Sequence, residues 1–313
     1  MRVLIHMPDP GFQKTALLLG FLARTLGLGS QITHTEAELF ETAVLCREHG
    51  SFFIVIGDAL QIPLMQKLYR ENPYARVLVL IGEEFLKSRE VMLSCAEFNH
   101  FLPLMNNVPI TEAVLTTLQR MSRKEYWSLT DYLKRPCYLN STLLSSSKDR
   151  DDALEQMSSQ LKSLGQDFAK PLMDRTLPRI LSMVEELLLN AVFAAHPKFQ
   201  KSDGSDGFEL PFHESVRFEW GLNGQILGIS VTDPFGALKR DSFFKNILGS
   251  EKEDSLHSHH SLGHGLKSLI RHAHTIIANV SPGARTSIHV FLNFEASLKS
   301  ADERPKQIEY YLC

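Results

Sequence analysis

The sequence predicts an α/β chain in two parts. A doubly wound parallel sheet is expected over residues 1–122, and an α/β sandwich with a mixed, largely antiparallel sheet over 151–296. Three observations carry this. Short apolar runs alternate with helix-spaced segments through the first part, the pattern of βα units. Two of those runs, FFIVI from Phe52 to Ile56 and RVLVLI from Arg76 to Ile81, are apolar almost without a break, as parallel strands buried on both faces are. In the second part, Asn223-Gly224 separates two strand-like runs, Ser215 to Gly221 and Gln225 to Val231, which signals an antiparallel hairpin with type I′ chemistry.

Composition bounds the answer. The chain has 313 residues, enough for two domains, and 43% hydrophobic with 22% charged residues suits a globular protein. A net charge of -3 gives no electrostatic case for nucleic acid. The four cysteines, Cys46, Cys95, Cys137 and Cys313, show no metal or redox spacing and fit a reducing compartment. No apolar run approaches bilayer length, and Met1-Arg2 leads straight into VLI with no signal-peptide core. The expectation is a cytoplasmic protein with no membrane segment.

The elements follow in order. Arg2 to His6 reads as a strand and Gln13 to Leu26 as a helix, with Ala16, Leu17, Leu19, Gly20, Ala23 and Leu26 apolar. Ser30 to His34 and Glu36 to Glu48 repeat the pair. After FFIVI come a helix over Leu60 to Tyr69, a break at Asn72-Pro73, and RVLVLI. A helix over Glu90 to Ala96, a strand over Phe98 to Leu102 and a helix over Ile110 to Met121 complete five βα units. Residues 123–150 read as a linker, mixed and serine-rich, with Ser147 as the cap of a helix over Asp152 to Leu164 that Gly165 ends. Thr275 to Val280 and Ser287 to Phe294 read as strands joined through Pro282-Gly283. Residues 297–313 read as a polar tail in which Ile308 to Leu312 is apolar enough to dock.

The chemistry concentrates in the second part. Along MVEELLLNAVFAA, from Met183 to Ala195, apolar residues keep helical spacing while Glu186 and Asn190 fall i,i+4 on one face. A carboxamide oxygen and a carboxylate so placed suit Mg²⁺, which takes hard oxygen ligands and keeps several waters. Glu186 could also act as a base. The same pair also reads as a polar stripe at the edge of a core helix. Asp233 ends the strand QILGISV and precedes a turn with Gly236, so its carboxylate can be aimed into a cleft to accept from an exocyclic amine. Gly263, His264, Gly265 and Leu266 open an apolar helix, where backbone N–H groups can approach phosphate.

Taken together, E-x-x-x-N on a helix, D-x-x-G after a strand, G-x-G-L opening a helix and a Thr-led strand at Thr286 resemble the GHKL ATPases. That family includes histidine-kinase ATP domains, anti-sigma-factor serine kinases, Hsp90, MutL and gyrase. The resemblance spans roughly residues 152–294. It implies that Asp233 binds adenine and Asn190 binds Mg²⁺. It further implies that Gly236, Gly263, His264, Gly265, Leu266 and Thr286 contribute to an ATP site, with Glu186 as catalytic base. The family's D-x-G-x-G is reduced here to Asp233 and Gly236, with Phe235 and Ala237 breaking the spacing. The segment from Lys239 to Ser261, the counterpart of the ATP lid, is short, as in the anti-sigma serine kinases. No phosphoacceptor histidine motif is present. The histidines at 257, 259, 260 and 264 read as phosphate-bonding or solvated, with a zinc site as the alternative.

The spacing of the first part resembles a response-regulator receiver domain. Its chemistry departs from that pattern. After the first strand stands His6-Met7-Pro8-Asp9, with one carboxylate, and the strand FLPLM is followed by no lysine. Asp58 is the one candidate phosphoacceptor and reads better as a turn or cap residue. The expectation is a pseudo-receiver coupled to an Mg·ATP-binding domain: a signalling regulator that phosphorylates or gates a protein partner, as a serine kinase or ATPase. A silent interaction module is the alternative, and the helices and sheet edges of the first part would serve a partner or a homodimer.

Overall fold

The computed structural model describes residues 1–49, 51–72, 74–82, 91, 94, 98–104, 110–123, 127–134, 136–168, 170–196, 207–224, 226–248, 273–293 and 307–313. The protein is α/β, with eleven strands and eight helices among the described residues. It divides into two compact units: Met1–Glu125 with Pro305–Glu309, and Tyr126–Arg304 with Tyr310–Cys313.

In the first unit β1 (Arg2–His6), α1 (Gln13–Thr25), β2 (Gly29–Thr33), α2 (Glu36–Glu48), β3 (Phe53–Asp58), α3 (Ile62–Glu71), β4 (Ala75–Gly82), β5 (His100–Leu104) and α4 (Ile110–Arg123) alternate. The five strands are parallel in the order β2-β1-β3-β4-β5. This is one of the two common doubly wound orders, with its switch point between β1 and β3. All six residues of β3 are buried, which explains the unbroken apolar run. Gly57 lets α3 approach closely, since a Cβ there would meet Met65 Sδ at 2.7 Å. Helix α2 starts at a capping box: Glu38 N–H donates to Thr35 Oγ1, and Thr35 N–H donates to Glu38 Oε2. Near the end of the chain, Ile308 and Glu309 add an antiparallel partner to β5, opposite Phe101 and His100 respectively. Glu309 is buried and accepts from Thr117 Oγ1 of α4 at 3.0 Å, and its other oxygen lies 3.8 Å from His100 Nδ1. Burial pushes the His100 pKa down, so at neutral pH a neutral imidazole stands beside this carboxylate. Of the helix predicted over 90–96, Val91 and Ser94 are helical and the rest lies outside the described residues.

In the second unit α5 (Leu129–Leu133) and β6 (Tyr138–Leu144) lead into α6 (Ser147–Phe168) and α7 (Lys170–Leu189). After these come β7 (Val216–Asn223), β8 (Ile226–Asp233), α8 (Arg240–Leu248), β9 (Thr275–Ser281) and β10 (Arg285–Asn293). The strands are antiparallel in the order β9-β10-β8-β7-β6. Successive residues of a strand face opposite ways. One face of β8 therefore carries Leu227, Ile229, Val231 and Asp233, all buried. The other carries Gly228, whose missing side chain admits α5: a Cβ there would come within 2.9 Å of Leu129. Tyr132 of α5 rests on the His289 and Phe291 rings of that same face.

Several local expectations change. Tyr138–Leu144, read as part of a serine-rich linker, is a seven-residue strand paired with β7. Helix α6 runs past Gly165 to Phe168. Its start is capped by Ser146, whose Oγ accepts from Asp149 N at 3.2 Å, while Ser147 Oγ accepts instead from Phe208 N. The hairpin turn sits one residue later than predicted. Asn223 pairs with Ile226, so Gly224 takes the left-handed backbone at φ 58, and the Asn223 amide donates to Leu133 and Lys134 carbonyls. At the other end of the chain, Ile308 to Leu312 docks as expected, as part of the strand β11 (Gln307–Leu312), whose residues through Glu309 belong to the first unit and from Tyr310 onward to the second.

Candidate functional site

Helix α7 buries Ile180, Met183, Val184, Leu187 and Leu188 and leaves Glu186 and Asn190 half-buried on one face. At Asn190 the helix opens into a π turn, Asn190–Ala194, in which Ala195 N donates to Asn190 O at 3.1 Å. Such widened turns recur where a helix must redirect a side chain for function. The Asn190 amide nitrogen donates to the Glu186 carbonyl at 2.9 Å and reaches Glu186 Oε1 at 3.5 Å. That leaves Oδ1, a hard oxygen, as the part of the amide the helix does not engage. With the Glu186 carboxylate beside it, the donor set fits Mg²⁺ and its waters.

Asp233 ends β8 as a buried carboxylate, 5% exposed. One oxygen accepts from Phe235 N at 2.9 Å and from Gly236 N at 3.2 Å, so the turn folds around the acid. Burial raises its pKa from 3.8 to about 6, against the pull of those backbone hydrogen bonds and of Thr286. Gly236 has φ 61, and a Cβ there would lie 2.1 Å from Ser281 O, so glycine is required. Its carbonyl accepts from Gly283 N at 3.3 Å, which ties this turn to the β9–β10 turn. Thr286 of β10 stands opposite Asp233. Its hydroxyl lies beside the Asp233 carboxyl and helps hold its pKa down, yet makes no hydrogen bond of standard geometry and is 2% exposed.

Two residues that sequence reasoning missed link these halves. Beyond the π turn, the buried His196 places Nε2 2.9 Å from Glu214 Oε2. Its ring meets Phe235 edge-on, with centroids 4.7 Å apart. The π turn itself packs on β8. Past Gly236, the hydroxyl of Tyr310 donates to the Leu238 carbonyl at 3.0 Å and its ring packs on Phe243 and Phe244 of α8. Gly263, His264, Gly265 and Leu266 lie outside the described residues, as do the histidines at 257, 259 and 260. Among the described residues no group of three or more His, Cys, Asp or Glu is placed to hold a metal.

In the first unit, Asp58 caps a short 3-10 turn: its Oδ1 accepts from Leu60 N at 2.8 Å, and burial pushes its pKa up. Asp9 likewise accepts from Gly11 N at 2.7 Å. His6, at the end of β1, bonds Thr33 Oγ1 at 3.1 Å, and burial lowers its pKa. Both carboxylates near the switch point are thus engaged in capping local turns. Among the described residues no helix is long and apolar enough to cross a membrane. No family model matches the chain, and no curated protein matches it.

Proposed function

We propose that the second unit is an Mg·ATP-binding domain of GHKL type and that the first is a receiver-like domain without phosphoacceptor chemistry. The observation that carries this is the strand end at Asp233. A buried carboxylate anchored by two backbone N–H groups, with a buried threonine hydroxyl beside it, offers a polar cradle for the edge of a flat heterocycle. Asp233 would accept from an exocyclic amine of adenine and Thr286 would pair with a ring nitrogen. Asn190 Oδ1 and a water held by Glu186 would take the cation, which when bound neutralises phosphate charge. Glu186 is the group available to accept a proton from an attacking hydroxyl or water. The parallel order β2-β1-β3-β4-β5 supports the receiver-like reading, and the capping roles of Asp58 and Asp9 support its lack of phosphotransfer.

The whole is then a cytoplasmic regulator in which nucleotide controls a protein partner, by phosphorylation in the manner of anti-sigma serine kinases or by gating alone. Calorimetry with Mg·ATP on the full chain tests it. Saturable binding that needs Mg²⁺ and weakens in Asp233→Asn is the expected result, and no heat with any nucleotide defeats it.

A further inference from the structure

We propose that His196 and Glu214 are a positioning pair for the nucleotide site, bracing the Asp233–Gly236 turn through the Phe235 ring. The inference rests on the nucleotide reading for its functional meaning and on geometry for its substance. His196 lies six residues beyond Asn190, at the exit of the π turn, so the helix end that carries Asn190 fixes where the imidazole stands. The imidazole is 2% exposed and is held from one side by Glu214 at 2.9 Å. Glu214 comes from a short 3-10 turn, Phe212–Glu214, whose exit bond from Ser215 N to the Phe212 carbonyl is 3.3 Å. On the other side the His196 ring meets Phe235 at an interplanar angle of 71°. Edge-to-face contacts of this kind are directional, because a positive ring edge meets a negative ring face.

Phe235 is the lever. Its backbone N–H makes the shorter of the two hydrogen bonds to Asp233 Oδ1. Its ring is half-buried, and among the described contacts His196 is its aromatic neighbour. If the imidazole turns, the ring and then the N–H move, and the carboxylate loses the donor that orients it. Packing of this sort also explains why a bulky residue stands where the resembled motif has glycine. The turn that glycines would shape is shaped here by an aromatic ring and its brace. His196 touches neither nucleotide nor cation in this scheme. It ties the Asn190 end of the site to the Asp233 end.

The test uses the full chain in four forms: wild type, His196→Ala, Glu214→Ala and Glu214→Gln. Two quantities are read in each: the titration of the Asp233 carboxyl by carbon-detected NMR, and the affinity for a fluorescent ATP analogue with Mg²⁺. In His196→Ala and Glu214→Ala the Asp233 carboxyl should titrate above its wild-type position, because a hydrogen bond that favours the ionised form is weakened. Analogue affinity should fall about tenfold, the worth of roughly one hydrogen bond. Glu214→Gln keeps an acceptor for the imidazole and should restore both. Glu214 is part-exposed, so its variants fold even where His196→Ala does not. An Asp233 titration unmoved in Glu214→Ala and in folded His196→Ala overturns the brace, as does a Glu214→Gln variant that behaves like Glu214→Ala. Should the wild type bind no nucleotide, the proposed function fails on its own, and the titration still decides the brace.

Discussion

Thr286 stands directly opposite Asp233 in the β8–β10 ladder, with its hydroxyl buried beside the Asp233 carboxyl, whose pKa it helps hold down. Buried polar atoms in folded proteins nearly always find a partner, and an orphan costs about 1–3 kcal/mol. Here the hydroxyl's neighbour is the carboxyl itself, so the two act as a unit.

Thr286→Val removes the hydroxyl at nearly constant shape. Without nucleotide the variant should be less stable than wild type at pH 8 by about 1 kcal/mol, because the ionised Asp233 loses a hydroxyl that favours it. With Mg·ATP it should bind about tenfold more weakly. Denaturant melts with and without nucleotide check both arms, and a variant destabilised alone but equal in affinity would place the hydroxyl in the core instead.

Asp233→Asn separates stability from binding. The folded pKa of about 6 lies above the ordinary 3.8. The protonated form is the better buried one. Its stability contribution is fully present below about 3.8 and is lost as pH rises through about 6. Asparagine keeps the acceptor for Phe235 and Gly236 and never ionises. Nucleotide-free Asp233→Asn should therefore be more stable than wild type at pH 8, by up to roughly 3 kcal/mol, with the two converging near pH 4. It should also bind ATP more weakly by roughly 1–3 kcal/mol. Urea unfolding at both pH values tests the first claim, and identical wild-type and variant curves at pH 8 would refute it.

Glu186 and Asn190 share a helix face and divide the work. Asn190→Ala should lose the Mg²⁺-dependent part of nucleotide affinity. Glu186→Gln should still bind Mg·ATP but turn over about 10²–10⁴ times more slowly if the carboxylate is a base. Single-turnover assays with radiolabelled ATP distinguish the two. Wild-type binding with no turnover in the presence of candidate partners would move the protein to the gating reading.

Asp58 should not accept phosphate from acetyl phosphate, because its carboxylate already caps the turn at Ala59–Gln61. Mass spectrometry after incubation with Mg²⁺ and acetyl phosphate checks this. A base-labile adduct on Asp58 would return true receiver chemistry to the first unit.

Strands β1, β3 and β4 were legible because burial on both faces writes itself as an unbroken apolar run. Strand β6 was not. Its residues alternate half-buried and exposed with Asn, Ser and Thr among them, as an edge strand allows. Helix α6 continues past Gly165 to Phe168, since a lone glycine costs a helix only about 1 kcal/mol. The turn after Asn223 slipped by one residue because its amide is held by carbonyls some 90 positions earlier, a contact with no local trace. Glu186, Asn190 and Asp233 stood out as polar residues in apolar elements. The π turn and the His196–Glu214 contact had no such signal, since partners 18 residues apart obey no periodicity.

The order of synthesis bears on β11. Thr117 and Glu309 are 192 positions apart, and the strand partner that Glu309 supplies to His100 leaves the ribosome only after residues 126–304 of the second unit. Until then β5 presents an open edge, and an open edge invites pairing with whatever extended chain is nearby. The nascent protein thus passes through a stage in which one half is nearly folded but unsealed. Chaperone dependence, and losses by misassembly at high expression, should fall on that interval.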